Sequence, residues 1–214
     1  MGSPNLRQSI LNRRMLICIF TGFASGMPLY VLISLVPAWL RTEGVGLKEI
    51  GLFSLIGLPY VWKFLWSPLL DRYSIPLLLY RPGLRRSWML STQLLLLITI
   101  AMLGFLDPLS HLWYVAWLCL GIAFLSATQD IVLDAYRRQI LPDQELGLGN
   151  SIHVNAYRIA GLVPGSLSLI LSDFLPWNIV FVVTSAFVLV GLILTLSISE
   201  PTSKHNQPTT LKAA

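Results

Sequence analysis

Charge is scarce in this sequence. Asp, Glu, Lys and Arg make up 12% of its 214 residues, while 55% are hydrophobic. Soluble domains carry about 25% charged residues, so the composition argues against a soluble globular chain and for a membrane class. Histidine and cysteine are scarcer still, at three and two. Cys18 and Cys119 both fall in apolar runs, with no second ligand at metal spacing. No metal or cofactor is therefore expected. The GxSxG, HExxH and Walker A patterns are missing too, which argues against an enzyme. With no ATP-binding segment in the sequence, uphill work would draw on an ion gradient.

The apolar residues are gathered into runs. Crossing a hydrocarbon core of about 30 Å takes roughly 20 of them in a helix. Met15 to Leu40, Trp88 to Leu106, Leu112 to Gln129 and Phe174 to Ser199 carry no charge. Ile50 to Leu70 carries only Lys63, and Leu146 to Ser172 only Arg158. The expectation is an all-α integral membrane bundle over residues 15–200. Its six transmembrane helices lie at about 15–40, 49–70, 88–106, 112–136, 147–172 and 177–199. A segment 1–14 precedes it and a polar tail 201–214, read as disordered, follows. Ile75–Tyr80 is apolar but too short to span, and reads as interfacial. The first run is too long for a signal-peptide core and reads as a retained helix.

The cations are distributed unevenly. Arg7, Arg13, Arg14, Arg72, Arg81, Arg85, Arg86, Arg137, Arg138, Lys204 and Lys212 fall on one side of the expected membrane, Arg41 and Lys48 on the other. That bias places both termini in the cytoplasm. It also assigns the net charge of +5 to topology rather than to nucleic-acid binding.

The spans divide into two sets of three. The third of each set has neither charge nor internal proline, so helices 3 and 6 read as lipid-facing and helices 1, 2, 4 and 5 as interior. Such a 3+3 inverted repeat is the grammar of a transporter half. Gly22–Gly26 and Gly161–Gly165 share GxxxG spacing, which predicts that helices 1 and 5 touch.

Ionised groups in hydrocarbon cost about 2.5–3.5 kcal/mol each on insertion scales and need a partner or a wet cavity. At 1.5 Å per residue, Arg158 lies roughly 16 Å deep, Lys63 roughly 12 Å and Asp130 roughly 9 Å. Lys63 and Asp130 sit at similar depth. Two readings stand for them: an ion pair that merely holds two helices, or a proton-coupling acid beside a cation that meets an anionic substrate. Low dielectric favours the neutral acid and a nearby cation favours the anion, so substrate binding would switch such a pair. Arg158 has no acid at its depth; it reads as a substrate contact, or as bonded to carbonyls or to Asp130. Asp134 joins Asp130 as a proton-coupling candidate, although with Arg137 at i+3 it is most simply a local pair. Asn155, Tyr157, Gln129, Tyr30 and Trp62 are the remaining substrate-binding candidates, the aromatics for stacking on a sugar ring. His153, without a partner, reads as structural.

Ser25-Gly-Met-Pro-Leu-Tyr30 and Leu35-Val-Pro-Ala-Trp-Leu-Arg-Thr-Glu-Gly-Val45 resemble the first helix and loop of AmpG-type muropeptide permeases. Ile50–Tyr60 and Trp62-Lys-Phe-Leu-Trp-Ser-Pro-Leu-Leu-Asp-Arg-Tyr73 look like their second helix. Ser126-Ala-Thr-Gln-Asp-Ile-Val-Leu-Asp-Ala-Tyr-Arg137 and Gly147 through Arg158 look like helices 4 and 5. The resemblance implies the major facilitator fold. It also implies proton-driven symport of anhydro-muropeptides across the bacterial cell inner membrane, feeding peptidoglycan recycling and beta-lactamase induction. A sister branch carries acetyl-coenzyme A; both substrates are anionic. Asp71, Arg72, Arg85 and Arg86 resemble the helix 2–3 loop signature of a cytoplasmic gate, with Arg137 beside them. The loop here is longer, and Ser67 stands at the signature glycine.

Facilitators usually place the substrate between two six-helix halves, and this sequence looks like the N-terminal half. Lys63, Asp130 and Arg158 would then lie on an open face that a second half must cover, supplied by a homodimer or a separate chain. The competing expectations are a non-transporting remnant or binding subunit, and a carrier of acetyl-coenzyme A or another large anion.

Overall fold

A computed structural model describes residues 12–73 and 83–200. The expectations for Ile75–Tyr80, for the tail 201–214 and for most of 1–14 lie outside the described residues. The first segment comprises α1 (Arg13–Tyr30), a π turn (Val31–Leu35) and α2 (Val36–Thr42). The second comprises α3 (Leu47–Leu52), α4 (Leu58–Trp62) and α5 (Ser67–Arg72), with 3-10 turns at Phe53–Gly57 and Lys63–Leu65. The third is α6 (Leu84–Leu103) and the fourth α7 (Leu112–Ile140). The fifth holds α8 (Leu146–Ala160), a π turn (Val163–Leu167) and α9 (Ser168–Ser172). The sixth holds α10 (Trp177–Ala186) and α11 (Val188–Ser197).

Five of these segments are long and apolar enough to cross a membrane. The second is helical along its length but changes pitch repeatedly, and its breaks follow its prolines. Pro59 and Pro68 occupy the first turns of α4 and α5. That is where a residue without an N–H is tolerated, and each ends the ladder before it. Both π turns also sit at prolines. Pro37 lies two residues past the end of the first, and Pro164 lies in the second; the wider turn relieves the clash between the ring and the carbonyl behind it.

The first segment is the hub. Its Gly22 lies against the backbone of His153 and the methyl of Ala156, and Gly26 lies against the backbone of Tyr157. Farther along, Gly161 lies under the ring of Tyr30. The expected contact of helices 1 and 5 is therefore present, made by three of the four GxxxG glycines. On the other side Ala24 meets Gly191 of α11. The largest core cluster joins Trp39, Leu96, Ile100, Leu103, Ile122 and Phe181 from four segments.

Two expectations about position need correction. Helices 3 and 6 do expose apolar rows, such as Leu94, Ile98 and Met102 or Val182, Ile193 and Leu196. Their other faces, however, are core: Gln93 and Thr195 are fully buried and hydrogen-bonded to each other at 3.0 Å. The segment expected to be interior, the second, is the least covered; Pro59 and Leu70 are its buried residues among those described. The third helix also starts at Leu84 rather than near 88. Glu200 explains this: its carboxylate accepts from the N–H groups of Arg85 (2.8 Å) and Arg86 (3.1 Å), capping otherwise unpaired donors. Arg86 reciprocates, donating to the carbonyls of Thr195 (3.1 Å) and Leu196 (3.3 Å) at the end of α11.

At this basic end, Arg14 pairs with Glu145, Asp71 with Arg85, Asp134 with Arg137, and Arg138 with Asp143. Gly22→Ala pushes a methyl into the His153 carbonyl, a backbone atom that cannot yield cheaply. The detergent-solubilised variant should lose about 1–3 kcal/mol by reversible unfolding, the usual cost of overpacking. Gly51, where an added methyl meets nothing, should be neutral or slightly stabilising as Ala.

Candidate functional site

The polar centre of the bundle is a junction of three segments. Asp130 stands on α7, and one carboxylate oxygen accepts from the hydroxyl of Ser25 on α1 at 2.6 Å. The other accepts from the ammonium of Lys63, at the 3-10 turn of the second segment. Burial is partial: the side chains of Lys63 and Asp130 are 34% and 17% exposed. Each carboxylate oxygen thus has a donor, which is what makes a charge tolerable away from water. Ser25 itself is buried.

Two further polar contacts fasten the second segment to α7. Tyr60 Oη donates to Ser126 Oγ at 2.6 Å. Trp66 Nε1 donates to Thr128 Oγ1 at 3.1 Å, with its ring 4.8 Å from that of Phe124. The segment, which packs on the core through Ile50, Phe53, Ile56 and Leu70, is thus also fastened through Tyr60, Lys63 and Trp66, three residues of one helical face.

The other expected substrate residues divide. Arg158 is exposed on α8, on one strip with exposed Ser151 and Asn155. Asn155 spends its amide on the Ser151 carbonyl at 2.8 Å. Among the described residues, no carboxylate lies within salt-bridge distance of Arg158, so it is not Asp130's partner. Tyr30 and Tyr157 pack on each other across the first–fifth seam, ring centres 5.8 Å apart, and both remain half-buried. Two candidates are displaced. Gln129 is buried and donates to the Ala24 carbonyl at 3.1 Å; it locks α7 to α1 and is withdrawn from the open face. Trp62 lines a cavity of about 600 Å³ with Leu58, Trp66, Trp117, Leu120 and Phe124. That wall offers no polar partner for a sugar's hydroxyls. Lys63, Asp130 and Arg158 do not line that cavity. Arg158 is exposed, whereas Lys63 and Asp130 are partly buried.

The gate candidates also separate by partner. Asp71 and Arg85 join the second segment to the third at 2.7 Å. Arg86 is committed to α11, and Arg72 is exposed. Arg137 holds Asp134 at 2.9 Å, so Asp134 makes the local i,i+3 pair. His153 is buried, 3.3 Å from the hydroxyl of Thr21. Ser25 and Tyr60 are the residues that sequence reasoning did not place in the site. The available signal was position: Ser25 falls between Gly22 and Gly26, on the side of α1 most closely approached by other helices.

Comparison with known proteins agrees with this architecture. The Major Facilitator Superfamily family model matches residues 18–214. A Haemophilus influenzae protein of uncharacterized function is 52% identical over 96% of the chain, which covers 48% of that relative. The anhydromuropeptide permease of Escherichia coli K12 is 46% identical over 94% of the chain, covering 40% of the permease. A putative transporter AmpG 1 of Rickettsia conorii is 36% identical over 86% of the chain, covering 44% of it. The chain spans about half the length of the curated relatives it matches. It belongs to the major facilitator superfamily.

A double-mutant cycle measures the junction. Lys63→Met and Asp130→Asn should each lower the melting temperature in detergent, because each strips one partner of a half-buried pair. The double variant should recover part of the loss, with a coupling energy of about 0.5–3 kcal/mol. Strict additivity would mean that the pair contributes nothing to the bundle.

Proposed function

We propose that this chain is the six-helix, 3+3 inverted-repeat half of a proton-coupled importer of anhydro-muropeptides. It would lie in the bacterial inner membrane with both termini cytoplasmic, facing a second six-helix half across its open side. The observation that carries the reading is Asp130, shared between a hydroxyl of the first segment and an ammonium of the second and set in a membrane-spanning bundle. Nothing in a purely structural role requires the pair to stand at an uncovered face.

The chemistry follows from competition for one carboxylate. While Asp130 is charged it holds Lys63. A proton on Asp130 removes that attraction and frees the ammonium for an anionic ligand; loss of the proton draws the lysine back and expels the anion. Arg158, exposed and without an acidic partner among the described residues, would supply the second cation for a muramic-acid or peptide carboxylate. A carboxylate is recognised bidentately by guanidinium better than by any other side chain. The pairs Asp71–Arg85 and Asp134–Arg137, with Arg72, would form the cytoplasmic gate. The names of the Escherichia coli and Rickettsia relatives support the substrate class.

The test is uptake of labelled anhydro-muropeptide into vesicles carrying the chain, alone and with a six-helix complement, under an imposed proton gradient. Accumulation is expected, and Asp130→Asn should abolish the gradient-driven part while expression is maintained. Arg158→Gln should raise the half-saturating concentration about tenfold, near 1.4 kcal/mol. Uptake of acetyl-coenzyme A in place of the muropeptide would reassign the substrate. Accumulation by neither preparation would refute the carrier reading.

A further inference from the structure

A groove of about 200 Å³ runs between the first and second segments. It extends from Pro37 and Ile50, near the end opposite the basic one, inward to Tyr60. Its walls are mostly apolar, but three groups along it can bond water. Ser54 contributes a hydroxyl. Pro37 has no N–H for the carbonyl four residues back, that of Ile33, and both residues line the groove. Tyr60 contributes its phenol at the inner end. Gly57, where an added methyl would meet nothing, keeps the passage wide. A water needs only about 10–15 Å³ of such volume and two to four polar partners, so the groove has room for a short file.

Beyond Tyr60 the polar line continues into the bundle. The phenol donates to Ser126 Oγ at 2.6 Å, and Ser126 is buried. Ser126 accepts this bond. Among the described residues no acceptor takes its own proton, and Asp130 stands one turn along the same face of α7. Lys63 and Ser25 already occupy one oxygen each of the carboxylate.

We propose that Tyr60 and Ser126 deliver protons from this groove to Asp130. The proposal rests on the reading of Asp130 as the coupling acid. A hydronium in the groove gives a proton to Tyr60 Oη as Tyr60's own proton passes to Ser126 Oγ. The proton of Ser126 passes to the carboxylate, directly or through one water in the turn between them. Water, phenol and serine hydroxyl are all regenerated, and Asp130 becomes the neutral acid. Neither hydroxyl has to ionise.

Tyr60→Phe keeps the ring in the groove and removes the relay oxygen. In the uptake vesicles it should reduce the rate of proton-gradient-driven accumulation about a hundredfold or more, the range of a lost proton-transfer group. Substrate counterflow, which moves no net proton, should persist. Ser126→Ala should behave in the same way, and Ser126→Thr, which keeps the hydroxyl, should restore accumulation. Wild-type accumulation by Tyr60→Phe while Asp130→Asn fails would overturn the relay alone. So would loss of counterflow together with accumulation in both hydroxyl-deleting variants, which would make these residues packing elements. If Asp130→Asn itself accumulates like the wild type, the coupling reading falls and the relay with it.

Discussion

Helices in a membrane gain nothing from hiding apolar surface from one another, because the surrounding lipid is as apolar as they are. What holds them is close packing and satisfied polar groups. In this chain the closest packing is the seam where Gly22 and Gly26 meet the backbone of the fifth segment. Everything else in the site is positioned from that seam. It fixes α1 in rotation, and that rotation turns Ser25 toward Asp130 and Ala24 toward Gly191. The same crossing brings Tyr30 over Gly161 and beside Tyr157. A side chain at either glycine would push the helices apart and withdraw the serine from the carboxylate.

The second segment obeys a different rule. It has few fully buried residues and breaks pitch at its prolines; Ile50, Phe53 and Ile56 pack only partly on the main core, so packing holds it less firmly than the other segments. Its attachment to α7 is mainly polar, through Tyr60, Lys63 and Trp66. This makes it the element whose position depends most on the protonation of Asp130. Neutralising one carboxylate removes the strongest of three fastenings. The remaining two are hydrogen bonds to hydroxyls, each contributing about 0.5–1.5 kcal/mol. At the basic end, the Asp71–Arg85 pair tethers the same segment to the third. A change at Asp130 would therefore pivot the second segment about its inner end rather than release it.

Much of this is legible in the sequence, for identifiable reasons. Charge-free runs and prolines locate helices because hydrocarbon forbids unpaired backbone groups, and the glycine spacing marks the seam because only glycine permits so close an approach. Depth alone matches Lys63 to Asp130. Depth does not give rotation, however, and the misplacements share that cause. Gln129 is adjacent to Asp130 in sequence but about 100° around the helix from it, which carries it into the seam with α1. Trp62 is likewise next to Lys63, and in the second segment's altered pitch it turns into the apolar groove beside α7. Composition cannot tell a helix with one lipid face and one core face from a helix exposed on most sides, which is why helices 2, 3 and 6 differ from expectation. Glu200 is invisible as a cap because its partners lie more than a hundred residues earlier.

The arrangement of charge bears on what must cover the open face. A lysine that is 34% exposed and an aspartate that is 17% exposed are neither sealed in the bundle nor at its watery ends. Were lipid to cover them, the exposed part of the ammonium would lie against hydrocarbon, and Arg158, without an acidic partner among the described residues, would add the cost of a second cation. Snorkelling relieves such a cost near a helix end, but Arg158 stands twelve residues from Leu146 at the start of its helix, roughly 18 Å along it. The surface that meets this face must therefore be polar, wet, or both. On the proposed reading it would also lie close enough to hold an anion against Lys63 and Arg158 without closing on them permanently, since a fixed countercharge would end the proposed competition for Asp130.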